Sequence, residues 1–103
     1  MKKHIYLIQS LEDSYYKIGV SKHPTRRLSA LQTGNSSELK LIISFETEYA
    51  HIIERTLQRR YEYARKNGEW FDLSVINEIS FVDECKKIEE IINSLKNSGN
   101  VFI

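Results

Sequence analysis

Two β-rich segments joined by a short polar turn constrain this chain more than any other feature. The first segment covers residues 4–10, the second covers residues 15–20, and Glu12, Asp13 and Ser14 lie between them. A connection this short predicts that the two segments pair as an antiparallel hairpin. We therefore expect the fold to contain this hairpin at its N-terminal end.

The rest of the chain predicts helices around this hairpin. Pro24 suits the first turn of a helix, and Thr33-Gly34-Asn35 ends it. Residues 39–46 alternate as a third strand, with Leu39, Leu41, Ile43 and Phe45 on one side. Apolar residues at helical spacing predict a long helix over residues 49–66, closed by Asn67-Gly68, and a last helix over residues 81–96. Residues 69–73 are expected to form a short strand or an extended turn.

Composition indicates a globular chain of one domain, which we expect to span residues 1–103. Its core would cover residues 3–73, and residues 74–103 would form a C-terminal helical extension. No apolar run reaches the roughly 18 residues needed to cross a bilayer. Glu12 and Asp13 follow the start too closely for a signal peptide. Cys85, the single cysteine, fits a reducing compartment, so we expect a cytoplasmic protein without membrane contact.

The charge of the chain is unevenly distributed. The net charge is +1 overall, but the chain carries +3 up to Leu73 and −2 from Ser74 onward. A basic N-terminal part suits an anionic ligand. The charge pattern alone is also compatible with a solvated helix surface.

Four residues in distant stretches carry groups suited to phosphate chemistry. Tyr6 and Lys17 lie in the two hairpin segments, and Arg27 lies in the first turns of the next helix. A hairpin followed directly by a helix can bring a phenol, an amine and a guanidinium to one edge. Glu54 flanks the buried stripe of the long helix, where a single carboxylate could hold one Mg²⁺ with water and phosphate as further ligands.

These residues and their neighbours resemble the GIY-YIG endonuclease superfamily, in the branch named after an open reading frame of a T-odd phage. The resemblance covers roughly residues 4–73. It is carried by Ile5-Tyr6, Tyr16-Lys17-Ile18-Gly19, Arg27-Leu28, Leu31-Gln32-Thr33-Gly34, Glu54 and Glu69-Trp70-Phe71. It implies an α+β fold with a small three-stranded antiparallel sheet flanked by helices, to which the C-terminal helix is added. It also implies a DNA substrate and a divalent metal, Mg²⁺ or Mn²⁺.

The resemblance also assigns roles to single residues. Tyr6 matches the tyrosine that activates or orients the attacking water, Arg27 the arginine that stabilises charge at the phosphate, and Glu54 the metal ligand. Lys17 stands at the tyrosine of the second motif and completes the catalytic set. The residues expected to contact DNA are Tyr16, Lys22, Arg26, Arg55, Gln58 and Arg59.

This sequence departs from the superfamily pattern at several positions. His4 replaces the first glycine, and Leu31 stands where many members have histidine or tyrosine. Gln58 stands where the branch often has histidine. Binding and metal residues are therefore better retained than proton-transfer residues.

Three functions are compatible with these residues. The first is a DNA endonuclease, with specificity supplied by a homodimer or a partner protein. The second is a DNA-binding module whose catalysis has weakened, with the arginines at positions 59, 60 and 65 as its binding face. The third is a protein-interaction or inhibitor domain that uses the acidic last helix and the apolar residues 101–103 as its contact surface.

Overall fold

The computed structural model describes residues 1–73 and 78–99. The last three residues of the chain, which carry the expected apolar contact surface, lie outside these ranges. Within them the chain forms five strands and three α-helices. The strands are β1 (Lys3–Ser10), β2 (Tyr16–Ser21), β3 (Leu39–Thr47), β4 (Arg65–Asn67) and β5 (Trp70–Phe71). The helices are α1 (Pro24–Thr33), α2 (Ala50–Arg60) and α3 (Glu78–Asn97).

All five strands belong to one antiparallel sheet with the order β3-β1-β2-β5-β4. The expected three-stranded sheet is therefore wrong, although the α+β class and the β1–β2 hairpin are as expected. The two additional strands come from a segment that the sequence pattern assigned partly to the long helix. That helix ends at Arg60 instead of residue 66, a 3₁₀ turn follows at Glu62–Ala64, and β4 begins at Arg65.

The β4–β5 hairpin explains why the long helix stops early. Asn67 pairs with Trp70, so Gly68 and Glu69 form a two-residue connection in which Gly68 has φ +56°. Two-residue hairpin turns favour glycine at a position of positive φ. Gly68-Glu69 is therefore the hairpin turn, and Asn67-Gly68 does not end a helix.

The sheet has an apolar cluster on each face. The larger cluster lies under α2 and α3 and includes Ile5, Leu7, Ile53 and Phe71, each at most 1% exposed. The smaller cluster, under α1, contains Tyr6, Ile8 and Leu39, with Leu28 and Leu31 packed against it. Burial of this apolar surface is the main stabilising term for a domain of this size. Tyr6 therefore faces α1, while its chain neighbours Ile5 and Leu7 face α2 and α3.

A bulge in β3 divides that strand between the two clusters. The pairing with β1 shifts between Leu7 and Ile8, leaving Ile42 as the extra residue. Leu39 and Leu41 consequently pack on the α1 side, whereas Ile43 and Phe45 pack on the other side. The simple alternation expected from residue 39 to residue 46 is wrong, because one inserted residue reverses which face each side chain meets.

Hydrogen bonds fix two of the helices on the sheet. Gln32 joins α1 to the start of β3: its amide nitrogen donates to the Ser37 carbonyl at 2.9 Å, and its side-chain oxygen accepts from the Leu39 amide at 2.7 Å. On α3, Glu89 accepts from the Thr47 hydroxyl at 2.6 Å. No helix among residues 1–73 and 78–99 has the length and apolar content to span a membrane.

Candidate active site

The site lies on the open edge of β2. On this edge β5 pairs with Tyr16 and Lys17 of β2, and the pairing ends before Ile18. Beyond that point α2 takes the place of a strand: the side-chain amide of Gln58 donates to the Ile18 carbonyl at 3.1 Å. Glu54 lies one helical turn before Gln58, on the same side of α2. The early end of β5 thus brings a carboxylate from α2 to the edge of the hairpin.

Tyr6 lies directly across the β1–β2 pair from Gly19, and its ring covers this glycine. A Cβ atom added to Gly19 would lie 2.3 Å from the Tyr6 hydroxyl and 2.5 Å from Cζ. Tyr6 is only 1% exposed. The absence of a side chain at position 19 therefore provides the space that holds the phenol.

Arg27 of α1 and two carboxylates surround the Tyr6 phenol. Burial raises the pKa of Tyr6, while a side-chain hydrogen bond with Arg27 and the charge of its guanidinium oppose this rise. The charges of Glu69 and Glu54 raise the pKa of Tyr6 further. The phenol is therefore protonated at neutral pH, beside an exposed guanidinium that α1 supplies.

Lys17 is held by two residues of the β4–β5 hairpin. Its Nζ donates to Oε1 of Glu69 at 2.8 Å and lies 5.7 Å from the centre of the Trp70 ring. The Lys17 side chain is 10% exposed, compared with 44% for Glu69. An ammonium with so little contact with solvent requires a partner, and Glu69 supplies it.

Glu54 is the second carboxylate of the cluster. Its side chain is 16% exposed, and the ring nitrogen Nδ1 of His51 lies 3.9 Å from its Oε1. Burial raises the pKa of the Glu54 carboxyl, as does the charge of Glu69, while the charges of Lys17 and Arg55 lower it. The negative charge of Glu54 is therefore only partly compensated by the protein itself.

The residues present fit a hard, oxygen-ligated cation such as Mg²⁺ or Mn²⁺ better than a metal that prefers thiolate and imidazole ligands, such as Zn²⁺. In residues 1–73 and 78–99 there is no group of three or more His, Cys, Asp or Glu side chains that could hold a metal ion. A carboxylate such as Glu54, which is destabilised by burial and by a second carboxylate, would gain from a cation. Mg²⁺ commonly takes one or two protein carboxylates and completes its shell with water and phosphate oxygens. Glu54 is suited to this role.

The structure brings Tyr6, Lys17, Arg27 and Glu54 to one region, and it distributes the six expected DNA-contact residues more widely. Tyr16 packs against the larger apolar cluster, on the opposite face of the sheet from Lys17. The side-chain amide of Gln58 donates a hydrogen bond to the backbone of β2. The other four have exposed side chains: Lys22 and Arg26 lie beside the concavity at the start of α1, and Arg55 and Arg59 lie on α2.

Glu69 is the member of the site to which the sequence assigned no role. The sequence contains the Glu69-Trp70-Phe71 motif, but only the position of the β4–β5 hairpin shows that its glutamate lies against Lys17. The signal that could have located it is Asn67-Gly68, because a glycine here, just before a short aromatic strand, can begin a hairpin turn.

Most of the chain matches the model of a known protein family. That family model, described as the T5orf172 domain, matches residues 3–96. The chain belongs to the T5orf172 domain family. This family is phage-associated and related to the GIY-YIG and HNH-like endonucleases. The T5orf172 match includes all five strands and most of α3. No curated protein and no solved structure matches the chain.

Proposed function

We propose that this T5orf172 domain is a DNA endonuclease that hydrolyses phosphodiester bonds with one divalent cation, Mg²⁺ or Mn²⁺. The observation that carries the proposal is the electrostatic neighbourhood of Tyr6 and Glu54. Tyr6 interacts with Arg27, Glu54 and Glu69, and Glu54 interacts with Lys17 and Glu69. Groups from β1, β2, α1 and α2 therefore act on one another at one place.

Arg27 and Lys17 supply the positive charge that phosphodiester cleavage requires. The transferring phosphorus group gains charge on its non-bridging oxygens, and donors held in place before the reaction stabilise that charge. Loss of one such donor typically reduces the rate by about 10²–10³-fold. Arg27 has an exposed side chain suited to a phosphate arriving from solvent. Lys17 is more enclosed and is suited to the leaving oxygen.

Tyr6 acts by orientation in this mechanism. Burial keeps its pKa raised, so the phenol stays protonated and is a poor base at neutral pH. The phenol is 1% exposed, and Arg27 is its cationic neighbour. A phosphate that draws the Arg27 guanidinium outward would leave the Tyr6 hydroxyl free to contact the attacking water.

Glu54 is the residue that would hold the cation, since its charge is only partly compensated by Lys17 and Arg55. The bound cation supplies Lewis acidity at the phosphoryl oxygens. In the reaction the water oxygen bonds to phosphorus and the bond from phosphorus to the sugar oxygen breaks. The sugar oxygen gains a proton, and the attacking water loses one to solvent.

The DNA would lie across the start of α1 and the exposed side of α2. Lys22, just before α1, and Arg26 on α1 have exposed side chains, as do Arg55 and Arg59 on α2. Contacts of this kind go to phosphates and carry little sequence information. We therefore infer that specificity comes from a homodimer or from a partner protein.

We also infer that the protein acts in the cytoplasm. Cys85 is a free thiol on α3 that is fully buried. Burial raises the pKa of this thiol to about 12, which keeps it protonated and unreactive. A lone structural thiol of this kind is typical of a reducing compartment.

Supercoiled plasmid incubated with Mg²⁺ or Mn²⁺ tests the proposed nuclease. Wild-type protein should convert the plasmid to nicked or linear form, whereas Glu54→Ala and Arg27→Ala should reduce the rate by at least about 10²-fold. Glu62→Gln is the control, because it removes a carboxylate that pairs with Arg65 outside the site and is 64% exposed. Cleavage that persists unchanged in both site variants would remove the nuclease proposal.

A DNA-binding module without cleavage is the second candidate. Leu31, at a position where related nucleases carry a proton-transfer side chain, packs into the smaller apolar cluster. The side-chain amide of Gln58, which stands where the branch often has histidine, donates its hydrogen bond to the Ile18 carbonyl. This candidate predicts salt-sensitive DNA binding by the wild type and no cation-dependent cleavage.

A further inference from the structure

Glu69 holds a position that the nuclease mechanism leaves unexplained. A carboxylate beside a phosphate site should repel the DNA backbone, so its presence there requires a compensating role. Glu69 also raises the pKa of both Tyr6 and Glu54 through its charge. Its direct contact within the site is the 2.8 Å bond from Lys17.

The two sides of the Lys17–Glu69 pair differ in solvent access. The Lys17 side chain is 10% exposed, and its Nζ also lies over the Trp70 ring at 5.7 Å. Glu69 is 44% exposed and remains partly solvated without its partner. Lys17 therefore depends on Glu69 more than Glu69 depends on Lys17, since an enclosed ammonium without a counter-charge is unfavourable.

The β4–β5 hairpin is what places Glu69 at this point. Glu69 is the second residue of the two-residue turn, and Trp70 pairs with Lys17 on β2. The hairpin therefore fixes both the counter-charge and the ring that flank the lysine. The direction of a flexible four-carbon side chain is set by a short and rigid turn.

We propose that Glu69 is a positioning residue, which acts through Lys17 by holding its ammonium at the edge of β2, over the Trp70 ring. This inference rests on the proposed nuclease function. It deepens that function by assigning the counter-charge of the catalytic lysine. Glu69 itself contacts neither the phosphate nor the leaving oxygen.

A double-mutant cycle tests whether Glu69 acts through Lys17. The variants are Glu69→Ala, Lys17→Met and the double variant, measured as single-turnover cleavage at saturating duplex DNA. Glu69→Ala should reduce the rate about 10-fold or more in the wild-type background. In the Lys17→Met background the same change should cause no further decrease, because the group that it positions is absent. Equal decreases in both backgrounds would overturn the proposal.

The DNA affinity separates positioning from a structural role. Glu69→Ala removes a negative charge near the phosphates, so DNA should bind as tightly as in the wild type or more tightly while turnover falls. Glu69→Gln keeps a hydrogen-bond acceptor for Lys17 and should recover part of the rate. A merely structural glutamate would instead lower the melting temperature, the DNA affinity and the rate together. Glu62→Ala, which disrupts the exposed ion pair of Arg65, serves as the control.

A measurement on the protein without DNA tests whether Glu69 holds the Lys17 ammonium in place. In the NMR spectrum of the folded wild type, the Lys17 ammonium should give a resolved nitrogen signal because the pair protects it. The signal should broaden or disappear in Glu69→Ala and remain in Glu62→Ala. An unchanged Lys17 signal in Glu69→Ala would overturn the inference. If the wild type does not cleave DNA, the nuclease function fails, and this spectrum still decides whether Glu69 holds Lys17.

Discussion

The hydroxyl of Tyr6 occupies the space that a side chain on Gly19 would fill, with 2.3 Å between that oxygen and the position of a Cβ atom. The two residues face each other across the β1–β2 pair, and the phenol is almost completely buried. The glycine of the second motif thus defines the position of the tyrosine of the first motif. Because Gly19 has no side chain, the Tyr6 ring can lie directly against its backbone.

Gly19→Ala should therefore destabilise the fold and displace Tyr6. An added methyl group in a packed interior typically costs about 1–3 kcal/mol, and the buried ring has little room to move away. Thermal unfolding should show a lower midpoint than the wild type. Gly34→Ala is the matched control: Gly34 has φ −94°, and a Cβ there would meet no atom within 4 Å. Equal unfolding midpoints for the two variants would contradict the packing of Tyr6 on Gly19.

Glu54→Gln should stabilise the protein at neutral pH while removing cation binding. The folded-state pKa of Glu54 lies above its ordinary value of 4.5, chiefly because of burial. Such a group contributes stability that is fully present below pH 4.5 and lost as the pH rises through the folded-state pKa. At pH 7 the neutral glutamine avoids this loss. The melting temperature of Glu54→Gln at pH 7 should therefore be higher than that of the wild type.

The same comparison at low pH provides the internal check on Glu54. Below pH 4.5 the wild-type carboxyl is protonated in both states, so the two proteins should melt at similar temperatures. Glu62→Gln should show no gain at pH 7, because its carboxylate is exposed and paired with Arg65. A Glu54→Gln protein that is less stable than the wild type at pH 7 would show that the carboxylate is compensated within the fold.

Gln58→Leu should lower stability, because the Ile18 carbonyl loses the amide that closes the open edge of β2. A backbone acceptor left without its partner costs about 1–3 kcal/mol. Chemical denaturation should show this decrease, whereas Arg59→Gln, one residue further along α2 with an exposed side chain, should remain within about 0.5 kcal/mol of the wild type. If the two variants are equally stable, Gln58 does not support this edge.

Replacing Lys22 and Arg26 by glutamine should weaken DNA binding in a salt-dependent manner. Removing one phosphate-binding charge should reduce the slope of log affinity against log salt by about 1. The double change Lys86→Gln and Lys87→Gln removes the same charge from the exposed side of α3 and should leave the slope unchanged. Equal slope changes in both double variants would indicate a net-charge effect without a defined DNA face.

The parts of the fold that sequence predicts well depend on local signals. The β1–β2 hairpin follows from a short polar turn, and α1 follows from Pro24 and Thr33-Gly34. These signals also bring Tyr6, Lys17 and Arg27 into one region, because a hairpin and the helix after it are necessarily neighbours.

The parts that sequence misses depend on tertiary contacts. Residues 61–66 continue an apolar helical pattern, yet β4 pairs with β5 there, and this pairing adds two strands to the expected three. The bulge at Ile42 could not be read from the alternation of β3, since it arises from the pairing with β1. Glu69 remained without a role for the same reason, because its partner Lys17 is distant in sequence.

The most direct test of the site is the location of a bound cation. In NMR spectra of the protein with a short DNA duplex, trace Mn²⁺ should broaden the amide signals around Glu54, Gly19 and Tyr6. This broadening should disappear in Glu54→Gln. Broadening centred on the acidic face of α3, around Asp83 and Glu90, or identical broadening in Glu54→Gln, would contradict a cation and phosphate site on the open edge of β2.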